Sequence, residues 1–178
     1  WHVDENGGVC GRPITGANAT QITDALQDFP EGTRMLLMAP VIRAKKGHHR
    51  EVLEDLQGQG VVRVRVNGTV HDLRDALREG GANPLGLARY EMHNIEAVLD
   101  RVVIKSGQRD RLADSVEACL RLGDGSLIAS VENDGNWTDH PFSESFACEL
   151  HPECSLPELE PRMFSFNSPF GACPVCEG

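Results

Sequence analysis

Two close pairs of soft metal ligands lie near the end of the sequence. Cys148 and His151 form a C-x-x-H pair, and Cys173 and Cys176 form a C-x-x-C pair. A structural zinc site takes four sulfur or imidazole donors in a tetrahedron, and an x-x spacing lets one tight turn offer two of them. The segment between the pairs is short enough to bring both to one ion. The spacing therefore predicts a structural zinc site made of these four residues, with Cys154 as an alternative ligand.

Disulfides and buried free thiols are the alternatives to zinc for these cysteines. The sequence shows no secretory leader, and its cysteines cluster at ligand spacing, so we expect zinc in a reducing cytoplasm. Cys10 is either a further ligand or a free thiol. Cys119 lies on the apolar stripe of a predicted helix and is expected to be a small core residue.

The charge of the chain argues against a surface that binds nucleic acid without sequence preference. The 178 residues carry a formal net charge of −10, whereas binding without sequence preference depends mainly on neutralising phosphates. One segment departs from this average: AKKGHHR places Lys45, Lys46 and Arg50 close together, partly at a predicted helix N-terminus. These three residues are candidates for contact with DNA phosphates, and an ordinary solvated loop is the alternative.

The sequence contains no evident catalytic set. His48, His49 and His71 have no serine or cysteine nucleophile at a convincing spacing. No G-x-x-x-x-G-K-[ST] loop is present to cradle a nucleotide. No apolar run approaches the length that spans a membrane. We therefore expect a domain that is not itself an enzyme.

The pattern of apolar residues predicts an α+β fold, with a mainly antiparallel sheet and flanking helices. Helices are predicted over residues 18–29, 49–57, 73–80 and 109–122, strands over 34–42, 61–66, 93–104 and 126–132, and a turn over 133–140. The expected domains are residues 1–16, 17–131 and 132–178. The first and last of these are expected to form a small zinc-stapled lobe near the two chain ends, truncated at its C-terminal side.

The clearest local signal is the hairpin VVRVRVNGTVHDL. Valines alternate with Arg63 and Arg65, and the Asn-Gly pair that follows suits a type I′ turn. A period of two places both arginines on the exposed face of the sheet, where guanidinium groups on a rigid strand can pair with carboxylates of a partner. The alternative is a solvated face with local pairs to Glu96 or Asp100, each worth less than about 1 kcal/mol.

Several long blocks resemble one protein family. They are SLPELEPRMFSFNSPFGACPVCEG, PEGTRMLLMAPVIRAKKGHHREVLEDLQGQGVVRVRVNG, HNIEAVLDRVVIKSGQRDRLADSVEACLRLGDG and the short VCGRPI. Together they resemble the UvrA family of the bacterial excinuclease ABC over almost the whole chain. Only residues 73–92 and 132–141 look unlike that family. The resemblance identifies the chain as a fragment containing the UvrB-interaction domain and the first zinc module region.

This resemblance implies a function in nucleotide excision repair of damaged DNA. In the family, this domain docks UvrB, the helicase-like partner in the excinuclease, and the parent is a dimeric, cytoplasmic ABC-class ATPase whose phosphate loops would lie outside these residues. Arg63, Arg65 and Arg101 match positions on the docking surface.

The resemblance also bears on the zinc ligands. Many relatives have C-x-x-C where this chain has Cys148 and His151, and His151 lies closest to the usual second ligand, which favours it over Cys154. The rival interpretations are a UvrA-like paralogue without a UvrB partner and a zinc-ribbon DNA-binding module.

Overall fold

The computed structural model of the chain forms two compact units. One consists of Trp1–Gly16 and Ser145–Gly178, and the other is Ala17–Glu144. The structure describes residues 2–3, 9–10, 16–79, 81, 83–133 and 135–145. In the first unit, strands β1 (His2–Val3) and β2 (Val9–Cys10) pair in antiparallel fashion.

The described part of Ala17–Glu144 contains four helices and six strands. The helices are α1 (Ala19–Gln27), α2 (Arg50–Gly58), α3 (Leu73–Glu79) and α4 (Arg109–Leu122). The strands are β3 (Arg34–Lys46), β4 (Arg63–Val66), β5 (Thr69–Asp72), β6 (Met92–Val103), β7 (Ser126–Asn133) and β8 (Asn136–Ser143). The four predicted helices are therefore confirmed.

Six strands form one sheet in the order β5-β4-β6-β3-β7-β8. All neighbouring strands in it pair in antiparallel fashion. The predicted α+β class with an antiparallel sheet is thus confirmed. The predicted zinc-stapled lobe depends on residues 146–178, which lie outside the described residues.

The prediction of a turn over residues 133–140 is wrong. Gly135, at φ 83°, lies at the reversal of the chain, and Asn136–Ser143 then pairs with β7 along its whole length. The polar residues and proline of NWTDHPFS are typical of an edge strand, which has a neighbour on one side only. Because β8 completes the sheet, the compact unit extends to Glu144, beyond the boundary that the sequence predicts at residue 131.

Two local signals in the sequence produce the expected backbone geometry. At the start of α1, the Asn18 side chain accepts a hydrogen bond from the Gln21 amide at 2.9 Å, and the Gln21 side chain accepts one from the Asn18 amide at 3.0 Å. This reciprocal capping box satisfies two amides that the helix leaves unpaired. In the hairpin, Asn67 and Gly68 have φ values of 48° and 88°, as a type I′ turn requires.

The core lies between the helices and one face of the sheet. One cluster includes buried side chains of α1, α4, β3 and β7, among them Leu26, Leu37 and Val116. A second, around α2 and α3, includes Leu53 and Val64. Cys119 is fully buried in the first cluster, and burial, together with the charge of Asp100, raises the pKa of its thiol to about 12. This confirms Cys119 as a core residue.

A bulge in β6 changes which residues face the core. Leu37 opposes Asp100, whereas the next residue, Met38, opposes Val98, so Leu99 is the extra residue. Leu99 packs against the core clusters, and the Asp100 carboxylate accepts a hydrogen bond from the Ser115 hydroxyl of α4 at 2.7 Å. Strict alternation would have placed Arg101 on the same face as Ile95; the bulge instead leaves Arg101 exposed.

Within the described ranges, no helix is long and apolar enough to cross a membrane.

Candidate docking surface

The three arginines singled out in the sequence come together on the sheet face away from the helices. Residues directly opposite on antiparallel strands share a face. Arg63 opposes Val98, Arg65 opposes Glu96, and Arg101 opposes Leu36. We call this side the open face.

A cavity of about 560 Å³ lies on the open face, and all three arginines line it. Its other lining residues are Leu36, Val62, Gly68, Val70, Val98, Leu99, Asp100, Ser130 and Trp137. Leu36 and Ser130 are buried, so they form the floor. Val62, Val70 and Trp137 are each about half exposed and form an apolar rim.

Arg65 has its acceptors within the chain. Its Nε lies 3.1 Å from Glu96 Oε2, and its two terminal nitrogens lie 2.8 and 2.7 Å from the two carboxylate oxygens of Asp139. Only 13% of the Arg65 side chain is exposed. The pairing with Glu96 is the local alternative that the sequence left open. Arg65 therefore contributes to the architecture of the open face.

The two carboxylates beside Arg65 have opposite pKa shifts. At Glu96, burial outweighs the charge and hydrogen bond of Arg65 and raises the pKa of the carboxyl group. Asp139 is more exposed; there burial also acts to raise the pKa, but hydrogen bonds from Arg65 and Ser130 outweigh it and hold the pKa of Asp139 below its usual range. Burial alone would lower the pKa of Arg65, but its two acidic partners raise it. The guanidinium thus remains charged.

Arg63 and Arg101 are in a different situation. Both are exposed, and within the described part of the chain we find no side-chain hydrogen bond or ion pair for either of them. Asp100, which the alternative interpretation named as a local partner, instead lies 3.3 Å from Arg111 and accepts a hydrogen bond from Ser115. The cavity therefore presents two guanidinium groups that are available to carboxylates of another molecule.

The sheet is strongly curved around this cavity. The strand order places β6, β3 and β7 between Arg65 on β4 and Asp139 on β8. In a flat sheet, four strand spacings of about 4.8 Å would separate the two backbones by roughly 19 Å, beyond the combined reach of the two side chains. Their direct contact requires β4 and β8 to curl toward each other, which makes the open face concave. Sequence reasoning missed this, since it assigned Asp139 to a turn.

The basic segment around β3 is only partly available to a ligand. Lys45 and Lys46 are exposed at the end of β3. Arg50 Nε lies 2.7 Å from Glu54, and another of its nitrogens donates to the Gly81 carbonyl. Of the three candidate phosphate contacts, only the two lysines have no side-chain hydrogen bond or ion pair in the described part of the chain.

The predicted zinc ligands lie outside the described residues. This applies to Cys148, His151, Cys173 and Cys176, and to the alternative ligand Cys154. For Cys10 the structure gives the backbone of β2 but not the side chain. Among the residues that are described, no group of three or more His, Cys, Asp or Glu side chains is arranged to hold a metal ion.

Comparison with known proteins identifies one family. A family model described as "UvrA interaction domain" matches residues 18–133. The UvrABC system protein A of Streptococcus pyogenes serotype M1 is 49% identical over 167 residues, which cover 93% of this chain and 16% of that protein.

Other bacterial relatives give the same result. The protein of the same name from Thermus thermophilus is 46% identical over 95% of this chain and 17% of its own length. That from Listeria monocytogenes serotype 4b is 43% identical over 94% of this chain and 16% of its own length. The chain thus spans about one sixth of the length of these curated relatives.

Proposed function

The chain belongs to the UvrA interaction domain family, and on that basis we propose that its Ala17–Glu144 unit docks UvrB in nucleotide excision repair. In this proposal the open face is the docking surface, and the domain carries no catalytic set of its own. ATP hydrolysis, dimerisation and delivery of damaged DNA, in the cytoplasm, belong to the whole UvrA protein.

The proposal rests mainly on the guanidinium groups of Arg63 and Arg101. Both guanidinium groups line a concave cavity on a rigid sheet and have no carboxylate partner in the described part of the chain. In a protein of net charge −10, unpaired arginines in a cavity favour an acidic partner surface over a nucleic acid. An arginine that loses its hydration in such an interface commonly contributes a large share of the binding energy.

Titration calorimetry of the full chain with purified UvrB tests the proposal. We expect salt-sensitive binding, which Arg63→Glu and Arg101→Glu each weaken by at least about thirtyfold, since an interface hot spot is worth about 2 kcal/mol or more. Arg74→Glu is the matched control because Arg74 is exposed on α3 and does not line the cavity. Equal affinity of the wild type and both cavity variants would contradict the docking surface, and no binding by the wild type would contradict the function.

We also propose a structural zinc ion held by Cys148, His151, Cys173 and Cys176. The proposal is supported by the chemistry of the donors, since thiolates and an imidazole at these spacings fit a closed tetrahedral site. Such a site would stabilise the part of the chain that contains it. It would have no open position for a substrate.

A contact with DNA phosphates is proposed for Lys45 and Lys46. Both are exposed in a segment without acidic residues, and phosphate contacts of this kind position a protein on DNA without reading its sequence. Arg50 is left out of this proposal, because its guanidinium is held by Glu54 and the Gly81 carbonyl.

A further inference from the structure

Exposed apolar side chains are concentrated at the cavity of the open face. In the described part of the chain, the exposed large hydrophobic residues are Val62, Val70, Tyr90, Met92 and Trp137. Three of these five line the cavity: Val62, Val70 and Trp137. Single exposed apolar residues are ordinary on a protein surface, but a group around one concavity marks a binding site.

Val62 directly precedes β4, and the other two residues come from opposite edges of the sheet. Val70 lies on β5 and Trp137 on β8, which are the two edge strands. They line one cavity because the sheet is curled. Trp137 and Asp139 are two residues apart on the same strand, so their side chains point to the same face. The salt bridge from Arg65 to Asp139 therefore holds the strand that carries Trp137 in position over the cavity.

We propose that Val62, Val70 and Trp137 form an apolar subsite that receives a bulky apolar side chain of the docked partner. The inference rests on the proposed docking function and specifies the chemistry of the partner segment. That segment carries carboxylates for Arg63 and Arg101 next to an apolar residue that enters between the rim side chains.

Charge complementarity selects this occupant. The two guanidinium groups that flank the rim are unpaired in the described part of the chain, so a purely apolar occupant would bury them without partners, at a large free-energy cost. A purely acidic occupant would leave the three apolar side chains in water. A segment with both kinds of residue pairs its carboxylates with the arginines and covers the apolar rim with its apolar side chain.

The test is calorimetry of the full chain with purified UvrB at several temperatures and salt concentrations. Trp137→Ala removes the largest rim side chain. Val70→Thr keeps the size and β-branch of Val70 but makes it polar, so it is the second variant should Trp137→Ala perturb the sheet. Tyr90→Ala is the matched control, since Tyr90 is more exposed than any rim residue and does not line the cavity.

We expect Trp137→Ala to weaken UvrB binding by about tenfold or more and Val70→Thr by a smaller factor, with Tyr90→Ala unchanged. The heat-capacity change of binding becomes less negative in both rim variants, because less apolar surface is buried. Their salt dependence stays that of the wild type. The arginine variants show the reverse pattern, with an altered salt dependence and an unaltered heat-capacity change.

Suppose that the wild type binds UvrB and that both rim variants bind with the same affinity and the same heat-capacity change. This result would overturn the apolar subsite but not the docking function. Absence of wild-type binding would overturn both. Analytical ultracentrifugation of the chain alone tests whether a second copy of the chain occupies the rim instead. Concentration-dependent dimers that Trp137→Ala abolishes would show this and overturn the inference.

Discussion

Arg65 and Asp139 join through two contacts, of 2.8 and 2.7 Å, although three strands lie between them in the sheet. This contact joins β4 and β8 across the concave open face of the sheet. It ties β4, which carries Arg63, to β8, which carries Trp137. Arg65 is therefore expected to act by positioning the residues of the proposed docking surface rather than by touching UvrB.

The first prediction concerns the stability that Arg65 provides. Arg65→Leu leaves the Glu96 carboxylate, whose side chain is only 10% exposed, without its cation. Breaking a buried pair by removing one partner costs roughly 3–5 kcal/mol, so we expect a loss toward the lower end of that range, because Asp139 remains hydrated. Urea denaturation of the full chain, followed by circular dichroism, measures the loss.

A double variant separates the uncompensated charge from the packing of the arginine stem. In Arg65→Leu/Glu96→Gln the buried negative charge is absent, and we expect recovery of at least about half of the missing stability. Should the double variant be as unstable as the single one, packing of the arginine stem would be the main contribution and the charge argument would be wrong.

The second prediction concerns acid stability. The pKa of Asp139 in the folded chain lies below its ordinary value of 3.8, so the carboxylate contributes stability above that value and loses it as the pH falls through the folded pKa. We expect the wild type to lose more stability than Asp139→Asn between about pH 6 and about pH 3, measured as the shift of the urea midpoint.

Glu96 changes this profile in the opposite direction. Its pKa is raised in the folded chain, so its protonation adds stability relative to the unfolded state as the pH falls through that raised value. Glu96→Gln is therefore expected to steepen the acid loss relative to the wild type. Identical pH profiles for the wild type and both variants would show that Asp139 and Glu96, the two carboxylates paired with Arg65, have no part in the acid response.

Much of this domain can be predicted from local patterns in the sequence. The capping box at Asn18, the type I′ turn at Asn67-Gly68 and the apolar stripe of α4 depend on residues within one helix or one hairpin. Their geometry follows from near neighbours, so periodicity and turn chemistry are sufficient to identify them.

The parts that could not be predicted depend on contacts distant in sequence. The bulge at Leu99 is visible only in the pairing of β6 with β3, and it decides that Arg101 faces away from the core. Strand β8 has a polar composition and is held by pairing with β7. The Arg65–Asp139 contact joins residues 74 positions apart, so the cavity and its apolar rim could be found only from the folded chain.

The third prediction concerns metal content. We expect about one zinc ion per chain by atomic emission of the purified protein. His151→Ala should lose the metal or bind it much more weakly, whereas Cys154→Ala should retain it. The reverse result would assign the fourth ligand to Cys154.

The fourth prediction concerns the proposed contact of Lys45 and Lys46 with DNA phosphates, tested in the full-length UvrA protein. In UvrA carrying Lys45→Gln or Lys46→Gln, we expect uniformly weaker DNA binding across sequences. The slope of log affinity against log salt should become shallower by roughly 0.7–0.9 for each phosphate interaction that the substitution removes. Lys105→Gln is the matched control, because Lys105 lies at the opposite end of β6 from Lys45. Lys45 opposes His93 near the start of β6, whereas Lys105 follows the C-terminal end of that strand. If the three variants share the slope of the wild type, these lysines are ordinary solvated side chains, and the proposed phosphate contact is wrong.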